Sequence, residues 1–138
     1  MEIIRTTRIQ VNLPVEIVSR FQDAWNAACN FISTVSFENN NLSNAVRLNE
    51  ITYTDVRQKF GLSAQVAQSA VRFVASTYAG LKTRKALVKR PPFFRNTAII
   101  LQGGVIGRNF SIRNNLLSIT TLEGREKGVT FQGEPKLD

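Results

Sequence analysis

The first thirteen positions alternate. Ile3, Arg5, Thr7, Ile9, Val11 and Leu13 fall on one face; Glu2, Ile4, Thr6, Arg8, Gln10 and Asn12 fall on the other. Period two with Thr, Ile and Val predicts a strand over Ile3–Val11. Pro14 ends it and suits the first turn of a helix. The period then changes to three and four at Ile17, Phe21, Ala24, Ala28, Phe31 and Val35, widened by Val18, Trp25 and Ile32. That pattern predicts an amphipathic helix from Pro14 to Phe37, with Trp25 in the core rather than stacking on a base. The asparagine-rich Glu38–Ser43 stretch reads as a loop. A second helix is expected from Ala45 to Phe60, with Leu48, Ile51, Tyr53, Val56 and Phe60 apolar and Gly61 as a left-handed stop. Ser63 is positioned as the N-cap of a third helix, whose buried stripe is Ala67, Ala70, Val71, Val74, Tyr78 and Leu81. Its basic end carries Lys82, Arg84, Lys85, Lys89 and Arg90, up to the break at Pro91-Pro92.

From Phe93 onward the pattern changes class. Short β-rich pieces, Ala98–Leu101, Asn109–Arg113, Leu116–Leu122 and Gly128–Gln132, alternate with turn signals at Gly103-Gly104, Gly107, Asn114-Asn115 and Glu123-Gly124. This predicts an antiparallel meander. The opening strand has no strand near it in sequence, so its simplest partner is that meander. The expected fold class is α+β, a small antiparallel β-barrel or sheet with a three-helix insert after the first strand. The divisions are 1–13 for the first strand, 14–90 for the helices and 91–138 for the rest of the β part.

A chain of 138 residues fits one compact unit or two small interleaved lobes, and a hydrophobic fraction of 43% is enough for a core. No apolar run approaches the ~18 residues of a membrane span. Glu16, Arg20 and Asp23 interrupt the first helix, so it is no signal-peptide core, and the default compartment is the cytoplasm. The net charge of +8 matters through its distribution. Between Asp55 and Glu123 there is no acidic residue, while Arg57, Lys59, Arg72, Lys82, Arg84, Lys85, Lys89, Arg90, Arg95, Arg108 and Arg113 all lie there. Such a stretch cannot neutralise itself locally and should present a surface that attracts phosphates. The bland alternative is a solvated basic face. Anionic lipid fits less well, because the cations do not line one face of an amphipathic helix.

Catalytic chemistry is hard to find. Cys29 is the single cysteine and sits on an apolar helical stretch, which favours a buried thiol over a nucleophile. No histidine is present, which removes zinc–histidine sites and the commonest acid–base group. Gly103-Gly104-Val105-Ile106-Gly107 lacks the Gly-Lys-Ser/Thr ending of a phosphate loop and reads as a hairpin turn. The acids are scattered, so no carboxylate set converges on a magnesium ion. No catalytic residue, metal site or cofactor is assigned.

Several of these segments together resemble a known family. The basic opening strand runs into a helix bearing Phe21, Trp25 and Asn26. Leu48-Asn49-Glu50-Ile51-Thr52-Tyr53-Thr54-Asp55-Val56-Arg57-Gln58-Lys59-Phe60-Gly61-Leu62-Ser63-Ala64-Gln65 forms a helix–turn–helix region. Pro91-Pro92-Phe93-Phe94-Arg95 follows the basic tail, and Leu116-Leu117-Ser118-Ile119-Thr120-Thr121-Leu122-Glu123-Gly124-Arg125 reads as a strand–turn. In order and spacing the chain resembles the N-terminal portion of transposon-encoded TnpB (OrfB-type) proteins, the RNA-guided DNA endonucleases related to type V CRISPR effectors. The resemblance implies a wedge-like barrel interrupted by a helical recognition insert, holding guide RNA and target DNA. It places cleavage in a magnesium-dependent nuclease domain further along. The chain stops at Asp138, before that domain, and so reads as a fragment or a truncated frame whose barrel can lack its last strand. No catalytic residue of the family carries over.

The candidate phosphate-contacting strip is therefore Lys82, Arg84, Lys85, Lys89, Arg90 and Arg95, with Arg57, Lys59 and Arg72 as further contacts. Lys82, Lys85 and Lys89 have helical spacing for one stripe, whereas Arg84 points elsewhere unless the helix has frayed. Two other functions compete. One is a DNA-binding protein using the second and third helices as a helix-turn-helix, for which Ala64-Gln65-Val66-Ala67 offers little to read base edges. The other is a non-catalytic structural or assembly protein with an incidental basic face. Oligomeric state, guide and target-adjacent motif are not legible.

Overall fold

The computed structural model describes residues 8–103 and 109–133. Three helices follow a short strand: β1 (Gln10–Val11), α1 (Val15–Glu38), α2 (Ala45–Phe60) and α3 (Ala64–Thr83). The strands β2 (Phe110–Arg113), β3 (Leu116–Thr121), β4 (Gly124–Val129) and β5 (Phe131–Gln132) come after them. The mixed α+β class is as expected. The described residues form two small antiparallel sheets, β1–β5 and β2–β3–β4, and no closed barrel.

The helices pack around one apolar core. Trp25 and Ile32 of α1, Leu48 and Val56 of α2, and Val66, Val71, Val74 and Tyr78 of α3 are all essentially inaccessible. Trp25 is thus a core residue, with its ring 6.2 Å from that of Phe73. The buried stripe of α1 is rotated from its expected centre. Cys29, Ser33 and Ser36 face the core, while Val18 is 44% exposed. The serine side chains are tolerated there because they are bonded: Ser33 Oγ donates to the Pro92 carbonyl at 2.8 Å, and Ser36 Oγ donates to the Leu42 carbonyl at 2.6 Å.

Helix ends follow local chemistry in part. Asn44 accepts the Arg47 N–H and caps α2, and Gly61 closes it at φ 69. Ser63 occupies the cap position of α3, but its hydroxyl makes no capping bond. The third helix stops at Thr83, not at the prolines. Lys85 adopts φ 54; its N–H bonds the Lys82 carbonyl and the Ala86 N–H bonds that of Leu81. This pair of bonds is a Schellman motif, built with lysine where glycine is usual.

Beyond it the chain runs back along α1, held by one polar row. Ser33 Oγ donates to the Pro92 carbonyl at 2.8 Å. Asn30 pairs with Phe94 twice, donating to its carbonyl at 3.0 Å and accepting its N–H at 2.6 Å. Asn26 accepts the Thr97 N–H, and Gln22 donates to the Thr97 carbonyl. Residues 22, 26, 30 and 33 are spaced by four, four and three, so they share a helix face. Ala98–Leu101, expected as a strand, is irregular. Its Ile99 and Leu101 pack onto the helical core instead of joining a ladder.

Gln10 pairs with Gln132 and Val11 with Phe131, so the opening segment meets the C-terminal strands as expected, over two residues. The Asn12 N–H extends the pairing to the Thr130 carbonyl. Residues 3–7 of that expected strand lie outside the described residues. So do positions 104–108, on which most of the Gly103–Gly107 hairpin expectation falls. The β2–β3–β4 meander is present. Asn114 and Asn115, both with φ near +60, supply the two left-handed positions of a hairpin turn. The β3–β4 turn is Leu122-Glu123, with Gly124 already in the strand. The expected Gly128–Gln132 strand is divided between the end of β4 and β5. The break falls at Thr130, where the chain passes from pairing with β3 to pairing with β1, and a bulge within β4 shifts the register between Leu117 and Ile119, with Gly128 at φ 65. Leu122 packs onto the helical core near Gly61, and Arg20 Nη1 meets Glu123 Oε1 at 2.8 Å.

Candidate nucleic-acid interface

All nine cations named from the sequence are exposed, but the fold does not bring them into one strip. Lys82 donates to Ser43 Oγ at 3.1 Å, which places the end of α3 beside the start of α2. Arg57 and Lys59 lie at the other end of α2. Its 16 residues span about 24 Å, so these two belong to a different end of the bundle. There Lys59 Nζ stands 4.7 Å from the Phe31 ring centroid and Arg57 lies 5.9 Å from that of Tyr53. Arg72 opens onto the α2–α3 seam, in a cleft shared with Glu50.

The remaining six follow one another along the end of α3 and the returning chain. Their helical spacing does not operate, because the helix ends at Thr83 and Lys85 is left-handed. Lys82 is helical, Arg84 and Lys85 belong to the cap, and Lys89, Arg90 and Arg95 lie on irregular backbone. A strip shared between helix end and loop is what remains. Lys89 and Arg90 border a groove of about 750 Å³ with Leu87, Pro92 and Phe93. The Arg95 guanidinium sits 5.7 Å from the Phe93 ring centroid.

A second basic surface was missed. Strand pairing puts Ser111, Arg113, Ser118, Thr120, Arg125 and Lys127 on one face of the β2–β3–β4 sheet. The opposite face carries Phe110, Ile112, Leu117, Ile119 and Val129, with Glu126 among them. A depression of about 610 Å³ on the basic face is lined by Ser111, Arg113, Ser118, Arg125 and Lys127 together with the leucines Leu116 and Leu117, of which Leu116 shares this face and is exposed. Arg125 Nε donates to Ser118 Oγ at 2.8 Å and its Nη1 to Thr120 Oγ1 at 3.2 Å, which holds the guanidinium along the sheet. Glu123 and Glu126 hid this face in the sequence. In the fold Glu123 engages Arg20 and Glu126 sits on the other side. The alternation Ser111-x-Arg113 and Arg125-x-Lys127 is the signal that could have revealed it.

No cation of the acid-free stretch belongs to an ion pair among the described residues. The described acids and Cys29 form no group that could hold a metal. Burial pushes the Cys29 thiol up to about 12, so it stays protonated and inert near neutral pH. No described helix is long and apolar enough to cross a membrane. Compared with protein-family models, curated proteins and solved structures, the chain matches none.

Proposed function

We propose that this chain binds nucleic acid through the phosphate backbone and does no catalysis itself. This is the part an N-terminal module of a transposon-associated RNA-guided endonuclease would play in holding guide RNA and target DNA. The observation that carries the reading is the segregation of charge. The run from Lys82 to Arg95 carries no carboxylate in its sequence, and one sheet face gathers Arg113, Arg125 and Lys127 with the hydroxyls of Ser111, Ser118 and Thr120. Cations and hydroxyls on two differently shaped surfaces suit a backbone followed by shape and charge, as in structured RNA. The helix-turn-helix reading gains nothing from the fold. The exposed residues of α3 are Arg72, Ser76, Ala79, Gly80, Lys82 and Thr83, with Gln65 and Gln68 half-buried, so Arg72 is the one exposed long side chain in its N-terminal half to read bases.

The test is binding of a structured RNA at several salt concentrations. Affinity should fall with a log–log slope of about −0.7 to −0.9 per phosphate contacted. Changing Lys85, Lys89 and Arg90 to alanine should flatten that slope by about two to three units. With magnesium or manganese added, neither RNA nor DNA should be cut. A folded chain that binds neither RNA nor DNA overturns the reading. So does a variant with an unchanged slope, or sustained cleavage lost on mutating one of the chain's own acids.

A further inference from the structure

Phe93 is a large aromatic residue left in the open by a backbone that has no freedom to hide it. It is 70% exposed, and Leu87 across the groove is 81% exposed. The next residue, Phe94, turns inward and packs its ring 5.4 Å from that of Phe73. Phe94 is half-buried against the helical core, and its neighbour Phe93 is left outside it. The backbone is fixed on both flanks. Ser33 holds the Pro92 carbonyl, Asn30 holds both polar groups of Phe94, and Pro91-Pro92 restrict the chain before it. The ring is therefore presented at little further entropic cost. Around it stand Lys89, Arg90 and Arg95, with no carboxylate within the acid-free stretch.

We infer that Phe93 is a stacking platform for an unpaired base, with Lys89 and Arg90 taking the flanking phosphates and Arg95 bracing the ring. The ligand class is a single-stranded segment of nucleic acid. The inference rests on the phosphate-binding reading and adds to it a preference for unpaired over paired strands. An aromatic ring accepts the π-face of any base, so this contact selects single strands without selecting sequence. Charge complementarity favours this occupant over an apolar peptide: the groove is lined by Leu81, Leu87, Val88, Pro91, Pro92 and Phe93, and the polar side chains beside them, Lys89 and Arg90, are both cations. A base joined to phosphates matches both.

The experiment compares a labelled, unstructured RNA oligonucleotide with a blunt RNA duplex, for the full chain and for Phe93→Ala, Phe93→Trp and the Lys89→Ala, Arg90→Ala double variant. Because Phe93 is exposed, thermal unfolding should show all variants folded. Phe93→Ala should weaken single-strand binding roughly 5- to 150-fold with its salt slope unchanged and leave duplex binding as it was. Phe93→Trp should restore affinity. Its emission should be quenched by the oligonucleotide; Trp25, the native tryptophan, is fully buried and gives a separate signal. The double variant should instead flatten the slope. Single-strand affinity retained by Phe93→Ala overturns the inference and leaves the phosphate-binding reading standing. Equal losses for duplex and single strand do the same. Emission of Phe93→Trp that responds to phosphatidylserine vesicles and not to RNA overturns it in favour of a lipid surface. Failure of the unaltered chain to bind either RNA removes both.

Discussion

The helical part and the strand part of this protein are stabilised in different ways. Nearly all fully buried side chains belong to α1, α2 and α3; in the β2–β3–β4 sheet only Leu117, Thr121 and Val129, with the adjoining Asn109, are buried among the described residues. The helices close around an apolar centre. The sheet depends on tight turns, cross-strand pairs and a few docking contacts at Leu122, Glu123 and Asn12. A three-stranded sheet with one polar face has little apolar area to exclude from water. It can therefore offer an open basic surface at small cost in stability, whereas the bundle offers its cations only at its ends and seams.

The largest effect that sharpens this contrast is in the core. Trp25→Ala should lower unfolding free energy by about 3–5 kcal/mol in urea titrations and carry the sheet with it. Leu117→Ala should cost about 2 kcal/mol, the low end for a leucine, because its surroundings can collapse. It should loosen the strands and leave the helical amides protected from hydrogen exchange. Strand amides that outlast those of α1 and α3 would break the comparison.

Asn30→Ala comes next. It removes both bonds to the Phe94 backbone and should cost about 1–3 kcal/mol, read by thermal unfolding. Exchange of the Phe94 amide should rise more than that of α1. Lys85→Gly should act in the opposite direction, raising stability by about 1 kcal/mol, because glycine takes the left-handed position without strain. The same change should flatten the RNA salt slope by about one unit, which separates the strain at Lys85 from its charge. The smallest effect near neutral pH concerns Cys29. Burial favours its neutral thiol, so the folded pKa lies above the unfolded one. The associated stability is intact below the ordinary 9.0 and is lost as pH rises towards about 12. Below pH 9 a thiol reagent should therefore modify Cys29 no faster than the chain opens.

The helices were legible because their signals are local. The spacing of Phe21, Trp25, Ala28 and Ile32, the stop at Gly61 and the Asn114-Asn115 turn act within a few residues of themselves. The return segment was not legible. Gln22, Asn26 and Asn30 look in sequence like an ordinary solvated face, and nothing local says that residues 92–97 will bind there. The end of α3 was missed for a related reason, since Lys85 carries no left-handed preference of its own and the capping bonds impose it. The candidate site divided for tertiary reasons. Cations adjacent in an acid-free sequence, such as Lys59 and Lys82, lie at opposite ends of α2, while Arg125 and Lys127 join Arg113 across strands.

The central claim is that the chain meets phosphates along the run from the end of α3 to Arg95. Lysine reactivity towards an acylating reagent, measured site by site with and without saturating structured RNA, tests it most directly. Lys85 and Lys89 should be strongly protected by RNA, and Lys59, at the far end of α2 against Phe31, should react as before. Protection of Lys59 with Lys85 and Lys89 unchanged would contradict the account.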